Sequence, residues 1–222
     1  MFRHKGSRRT FLHNLRLASN LSFIAGIVNI AGVLSVATLT TNVTGHFAFF
    51  AEEISLKNYS KAITFLLFIL SFLVGAFTCN TLIEITSLKK PRIAHAFPMI
   101  IEVIILLIIG FGFIKHQEFI AHLLLFSMGI QNALVTQISQ LFFYRKPVEK
   151  SRLRRSIFLR LSIILSFFLG GVLGGIFYEK YELKILLFAA LSLIIALLFD
   201  NIIIYYHLTK RKIKSSLHEE EN

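Results

Sequence analysis

Charged side chains along this chain fall in clusters, and the intervals between clusters are long and apolar. No Asp, Glu, Lys or Arg occurs from Leu17 to Ala51, Ala62 to Ile83, Phe119 to Tyr144 or Leu161 to Tyr178. Two further apolar runs each carry one acid: Glu102 within Ile93–Ile114, and Asp200 within Ile185–Thr209. About 20 apolar residues cross a bilayer as a helix. The pattern therefore predicts six spans, near residues 20–40, 62–84, 96–114, 119–138, 161–178 and 185–206. The expected fold class is all-α, a polytopic transmembrane helical bundle.

Composition agrees. Of 222 residues, 55% are hydrophobic and 16% charged, and mean hydropathy is +0.69. Soluble domains carry about 25% charged residues. One cysteine, Cys79, excludes a disulfide-stapled module. The net charge of +12 is informative once located. Lys and Arg are retained on the cytoplasmic side of a membrane. With the N-terminus inside, the inner segments hold 19 of the 24 basic residues. They are the N-terminal arm, the Lys89-Lys90-Arg92 loop, the loop from Ser139 to Arg160 and the tail. All six tyrosines lie in connections or at span ends, where amphipathic rings collect. These features predict a multi-pass membrane protein with both termini cytoplasmic. Anionic lipid is the expected partner of the basic inner loops.

Two short strings recur in order. Phe23-Ile-Ala-Gly26-Ile27-Val-Asn29 returns 103 residues later as Phe126-Ser-Met-Gly129-Ile130-Gln-Asn132. Ile69-Leu70-Ser71-Phe72-Leu-Val-Gly75 returns 95 residues later as Ile164-Leu165-Ser166-Phe167-Phe-Leu-Gly170. Three spans separate the copies, so the second half is expected upside down relative to the first. Many secondary transporters follow that inverted-repeat plan, with a site between the halves. The division expected is a basic arm (1–19), a first three-helix repeat (20–114), a second (115–206) and a charged tail (207–222).

The strings Gly26-Ile-Val-Asn29, Thr40-Thr41-Asn42-Val43-Thr44-Gly45 and Met128-Gly129-Ile130-Gln131-Asn132-Ala133 resemble those of the YoaK-type bacterial membrane proteins. The resemblance runs from about Leu17 to Tyr206 and implies a six-helix inner-membrane protein of uncharacterised activity. Members of that family generally repeat a Thr-Gly motif after the Gln-Asn-Ala string. Here Thr136-Gln-Ile-Ser139 runs almost directly into Leu141-Phe-Phe-Tyr-Arg-Lys-Pro147, which implies a second half shortened after Ser139.

Polar groups inside spans are costly unless paired or wetted, so they mark candidate sites. Asn29 and Asn132, with Gln131, either face each other along a substrate path or simply hydrogen-bond neighbouring helices. The Thr38–Gly45 stretch, containing Thr41, Asn42 and Thr44, is poor helix former. It is either a re-entrant segment or a polar outer loop, followed by a short amphipathic helix over residues 46–56. Glu102 and Asp200 are coupling candidates for a proton or cation, or else partners of snorkelling Lys and Arg. Gly26, Gly75, Gly170, Gly171, Gly174 and Gly175 are read as close-packing positions.

His46, His95, His116 and His122 show no ligand spacing, so no metal and no cofactor are expected. No nucleotide-binding or hydrolase motif is present, and the basic loops are not a nucleic-acid signature, so neither an enzyme nor a nucleic-acid binder is expected. The leading expectation is a small-solute or ion transporter. The alternative is a non-transporting scaffold, assembly or lipid-binding protein; a homo-oligomer is compatible with either.

Overall fold

The computed structural model describes residues 11–89, 93–143 and 150–199. These residues form helices α1 (Phe11–Val36), α2 (Val43–Ser55), α3 (Tyr59–Lys89), α4 (Ala96–Gly110), α5 (Gln117–Phe143) and α6 (Lys150–Tyr181). A 3-10 turn at Glu182–Lys184 leads into α7, residues 185–199. No strand occurs among them. Four helical stretches are long and apolar enough to cross a membrane: Asn14–Val36, Tyr59–Lys89, Gln117–Ile138 and Arg155–Phe199. The last contains both α6 and α7. Its 45 residues would extend roughly 68 Å if straight, twice a bilayer core. The chain turns at the 3-10 segment, where Glu182 has a φ of 48°.

Many large apolar side chains lie on the outer surface, notably Leu66, Leu70 and Phe77 on α3 and Ile164, Phe168 and Ile176 on α6. Water would penalise so continuous an apolar exterior, whereas lipid does not. The architecture is that of a membrane helical bundle.

The expected span at 96–114 is shorter in the structure. α4 has 15 residues, about 22 Å, and stops at Gly110. Gly112 takes a φ of +73°, which lets Phe113 N–H reach the Ile108 carbonyl (3.2 Å) and Gly112 N–H the Ile109 carbonyl (2.9 Å). This glycine-dependent cap ends the helix although the sequence beyond it stays apolar. The first span is shifted rather than shortened, because α1 runs from Phe11 to Val36 instead of over residues 20–40.

Helix contacts cross between the two halves of the chain. α1 packs along α6, α3 packs along α5, and α1 also meets α5. α4 returns against α5 after a short turn, and α2 lies on α3. α7 buries Ile185, Leu186, Ala189, Ala190, Leu193 and Ala196, a single helical stripe. Its Ser192 hydroxyl donates to Asn20 Oδ1 on α1 (3.2 Å), and Leu187 closes over Gly110 of α4.

Glycines set the two closest approaches. A Cβ on Gly26 would collide with the Phe167 carbonyl oxygen, and one on Gly170 with that of Phe23. Likewise a Cβ on Gly129 would collide with the Phe72 carbonyl, and one on Gly75 with that of Phe126. Backbones in contact gain van der Waals attraction without any hydrophobic contribution, which is what holds helices together in lipid. The other three glycines of the expected packing set differ. A Cβ on Gly174 would be tight against Ile27 and Ile30, whereas one on Gly171 or Gly175 would meet nothing closer than 3.9 or 3.5 Å.

Candidate functional site

The polar stretch after α1 folds back on the helix it leaves. Ala37 takes a left-handed φ of 51°, and Thr38 N–H reaches back to the Gly32 carbonyl (3.3 Å). Asn29 lies seven residues before the end of α1, about 10 Å down its axis. Its Oδ1 nonetheless accepts from Thr41 N–H (3.2 Å), the Thr41 hydroxyl (3.0 Å) and, more weakly, the Thr40 hydroxyl (3.4 Å). The segment therefore dips into the bundle. Gly32 makes room for it, since a Cβ there would stand 2.5 Å from Thr40 Cγ2. Thr40 is fully buried. Non-helical backbone at depth is tolerable only when its polar groups are satisfied by protein, and the Asn29 amide does this.

Two further residues hold the segment. Asn42 caps α2, its Oδ1 accepting from Gly45 N–H (3.0 Å) and the Thr44 hydroxyl (2.8 Å). Asn42 and Thr44 are themselves exposed. His46 is 2% exposed, and its Nε2 lies 2.8 Å from the Leu39 carbonyl oxygen. A carbonyl only accepts, so Nε2 carries the proton and Nδ1 is a bare acceptor. Nδ1 is buried without a partner. The ring packs against Phe65 and Phe68 of α3, with centroids 6.1 and 5.6 Å away.

The amide bracket has a measurable consequence. Asn29→Ala leaves the Thr41 N–H and both hydroxyls without their acceptor and should cost about 1–3 kcal/mol. Amide hydrogen exchange should then rise at residues 38–42 before the rest of the bundle loosens; uniform exchange would refute a local role.

Burial pushes the His46 imidazole below its ordinary 6.5, and the Leu39 hydrogen bond pulls it part of the way back. The folded state thus favours neutral histidine. Its contribution to stability is complete above the ordinary value and is lost as pH falls through 6.5 toward the lowered folded value. The difference in Tm between the native chain and His46→Gln should therefore shrink on acidification. A pH-independent difference would contradict this.

Gln131 joins the halves elsewhere. It is 1% exposed, and its Nε2 donates to the Leu21 carbonyl of α1 (2.7 Å), while its Oε1 has no partner. Asn132 is exposed on α5, and no hydrogen bond links it to Asn29. Asn29 is engaged with the Thr segment of its own half, so the structure does not bring these two amides together. Glu102 is completely buried on α4, and neither carboxylate oxygen has a hydrogen-bond partner. Cys79 of α3 is within electrostatic reach of it. Asp200 lies outside the described residues.

One pairing had no signal in the sequence beyond scattered polar residues. Ser71 Oγ lies 2.8 Å from His122 Nδ1 and 2.9 Å from the Leu67 carbonyl. His122 is edge-on to Phe68 at 5.0 Å. Only tertiary contact between α3 and α5 makes this cluster. His122 also borders two surface recesses. One, of about 610 Å³, is lined by Lys115, His116, Gln117, Glu118 and Phe119; the other, of about 400 Å³, by apolar groups of α3 and α5. Neither is lined by Asn29, Gln131 or Glu102. Among the described residues no group of three or more His, Cys, Asp or Glu converges as a metal site.

No curated protein and no solved structure matches the chain. Residues 17–199 match a family described as "Protein of unknown function (DUF1275)", a span that runs from within α1 to the end of α7. The chain belongs to the DUF1275 family.

Proposed function

We propose that the protein is a six-pass transporter of a small solute or ion, built from two inverted three-helix repeats. The observation that carries this reading is the correspondence between its two closest helix approaches. Gly26 against the Phe167 carbonyl becomes Gly129 against the Phe72 carbonyl when the offsets of 103 and 95 residues are applied. Gly170 against Phe23 becomes Gly75 against Phe126 in the same way. A two-fold axis in the membrane plane relates such contacts, and each half contributes one helix to each pair. Secondary transporters place their sites at such an interface, often beside a discontinuous helix. The α1–α2 break, with Asn29, Thr40 and Thr41, is a discontinuity of that kind.

In this reading both termini are cytoplasmic, and anionic lipid meets the basic inner loops. The site lies where Gln131 of one half touches α1 of the other. Asn29, Thr41, Asn42 and Thr44 flank the path, which the outward-facing Asn132 does not join, and Glu102 couples transport to a proton or cation. The membrane is the bacterial inner membrane.

The test is a thermal-shift screen of the purified protein against amino acids, sugars, organic anions and inorganic ions. Hits are then assayed for uptake into proteoliposomes. A stabilising ligand that is also accumulated supports transport. Stabilisation only by lipid supports the second reading, a non-transporting scaffold or lipid-binding protein. That reading is favoured by the separation of both surface recesses from the interior amides.

A further inference from the structure

The segment from Thr38 to Thr41 closes over Asn29 from one end of the bundle, and, beside the Thr38–Gly32 backbone bond, two side chains outside it hold it down. One is the Asn29 amide. The other is His46, which reaches the Leu39 carbonyl from a different helix and so ties the segment to the α2–α3 pair (2.8 Å). The second differs from the first because it can titrate.

We propose that His46 is a proton-operated latch: neutral His46 holds the re-entrant segment shut over Asn29, and a second proton on its ring releases it. This inference rests on the site proposed above and supplies its regulation.

The geometry explains why a second proton is incompatible with the closed state. Nε2–H is already committed to the Leu39 carbonyl, so the incoming proton must bind Nδ1. That atom is buried and faces no acceptor. The groups packed around the ring do not compensate. α3 presents the phenyl rings of Phe65 and Phe68. On α5, His122 lies beyond Phe68, with its own Nδ1 engaged by Ser71. On α2 itself the acids are Glu52, which is exposed, and Glu53, whose Oε1 lies 4.0 Å from Lys61 of α3 and whose Oε2 is buried without a partner; it stands two turns from His46, about 10 Å along the axis. Phenyl faces attract a cation weakly compared with water. A charged imidazole is therefore driven from the slot toward solvent. Leaving the slot breaks the Leu39 hydrogen bond, and the segment is then held only from α1, by the Asn29 amide and the Thr38–Gly32 backbone bond. Burial holds the imidazole below the ordinary histidine value, so the latch stays shut at neutral pH and opens in acid.

The chain's single cysteine permits a direct test. In a Cys79→Ala background, Thr40→Cys places a thiol at a fully buried position of the segment. Its rate of modification by a membrane-impermeant thiosulfonate is taken relative to a cysteine at exposed Leu56, which cancels the pH dependence of the thiol itself. The expected relative rate is low at about pH 7.5 and at least about tenfold higher at about pH 5. His46→Gln can still donate to the Leu39 carbonyl but does not titrate, so its rate should be low at both pH values. His46→Ala should be fast at both. Should the alanine variant fail to fold, the comparison of His46 with Gln decides alone. A pH-independent rate with His46 present, or a pH response that survives His46→Gln, overturns the latch. The assay needs no substrate. A latch that works in a protein that accumulates nothing would therefore discard the transport reading and leave the latch standing.

Discussion

Valine at Gly26 or Gly75 is expected to destabilise the bundle by about 3 kcal/mol or more, through separation of a helix pair. Overpacking a tight contact usually costs about 1–3 kcal/mol when side chains can shift aside. Here the obstacle is a backbone carbonyl, that of Phe167 for Gly26 and of Phe126 for Gly75. A carbonyl within a helix cannot rotate away without breaking its own hydrogen bond, so the helices themselves must part. Gly129 and Gly170 occupy the reciprocal positions, and valine there should have effects of the same size. Gly171 and Gly175 give the internal control. Their surroundings leave room for a Cβ, so alanine meets ordinary contact distances. Alanine also favours helix over glycine by about 1 kcal/mol. Gly171→Ala and Gly175→Ala should thus be neutral or slightly stabilising. Thermal unfolding in detergent, with the monodisperse fraction on gel filtration, measures both classes. Equal effects at Gly170 and Gly171 would show that the close approach is not where the structure places it.

The second large effect concerns Glu102, and its sign is opposite for stability and activity. A buried polar group without a hydrogen-bond partner costs about 1–3 kcal/mol, and both Glu102 oxygens are in that position. Leucine fills a similar volume with no such penalty. Glu102→Leu should therefore raise stability by about 1–3 kcal/mol and, under the transport reading proposed above, abolish ion-coupled uptake. Glu102→Gln keeps a polar group but cannot exchange a proton. It should remove the pH dependence of uptake while leaving stability near that of the native chain. A destabilised Glu102→Leu variant would indicate that the carboxyl is held by a structural partner. A Glu102→Gln variant with unchanged pH-dependent uptake would remove its coupling role. An unpaired acid in an apolar helix is costly, and this pair of substitutions separates a functional role from simple tolerance.

Much of the architecture was legible because a bilayer imposes a length. The alternation of apolar runs with basic clusters placed α3, α5 and α6, since about 20 apolar residues are needed wherever a helix crosses. The Thr-rich stretch marked a break after α1, because β-branched residues weaken a helix, although α1 ends earlier, at Val36, and Val43–Gly45 open α2. The two recurring strings located the glycines of both close approaches. Periodicity alone did not distinguish Gly170 from Gly171, because their roles depend on which face meets α1.

The chemistry was legible only in part. Asn29, Gln131 and Glu102 stood out because amides and carboxylates are rare in apolar runs. Their partners did not. Asn29 binds a backbone segment that folds back across Gly32, Gln131 binds a carbonyl on a helix 110 residues away, and Asn132 faces outward. His46 and the Ser71–His122 contact were unremarkable in the linear chain. Residue type and spacing report the cost of placing a group in an apolar helix, since that cost depends on the residue and its immediate neighbours. Whether the cost is met, and by which partner, is decided by helix rotation and by contacts between distant segments. A local pattern does not carry those, and only the folded bundle supplied them.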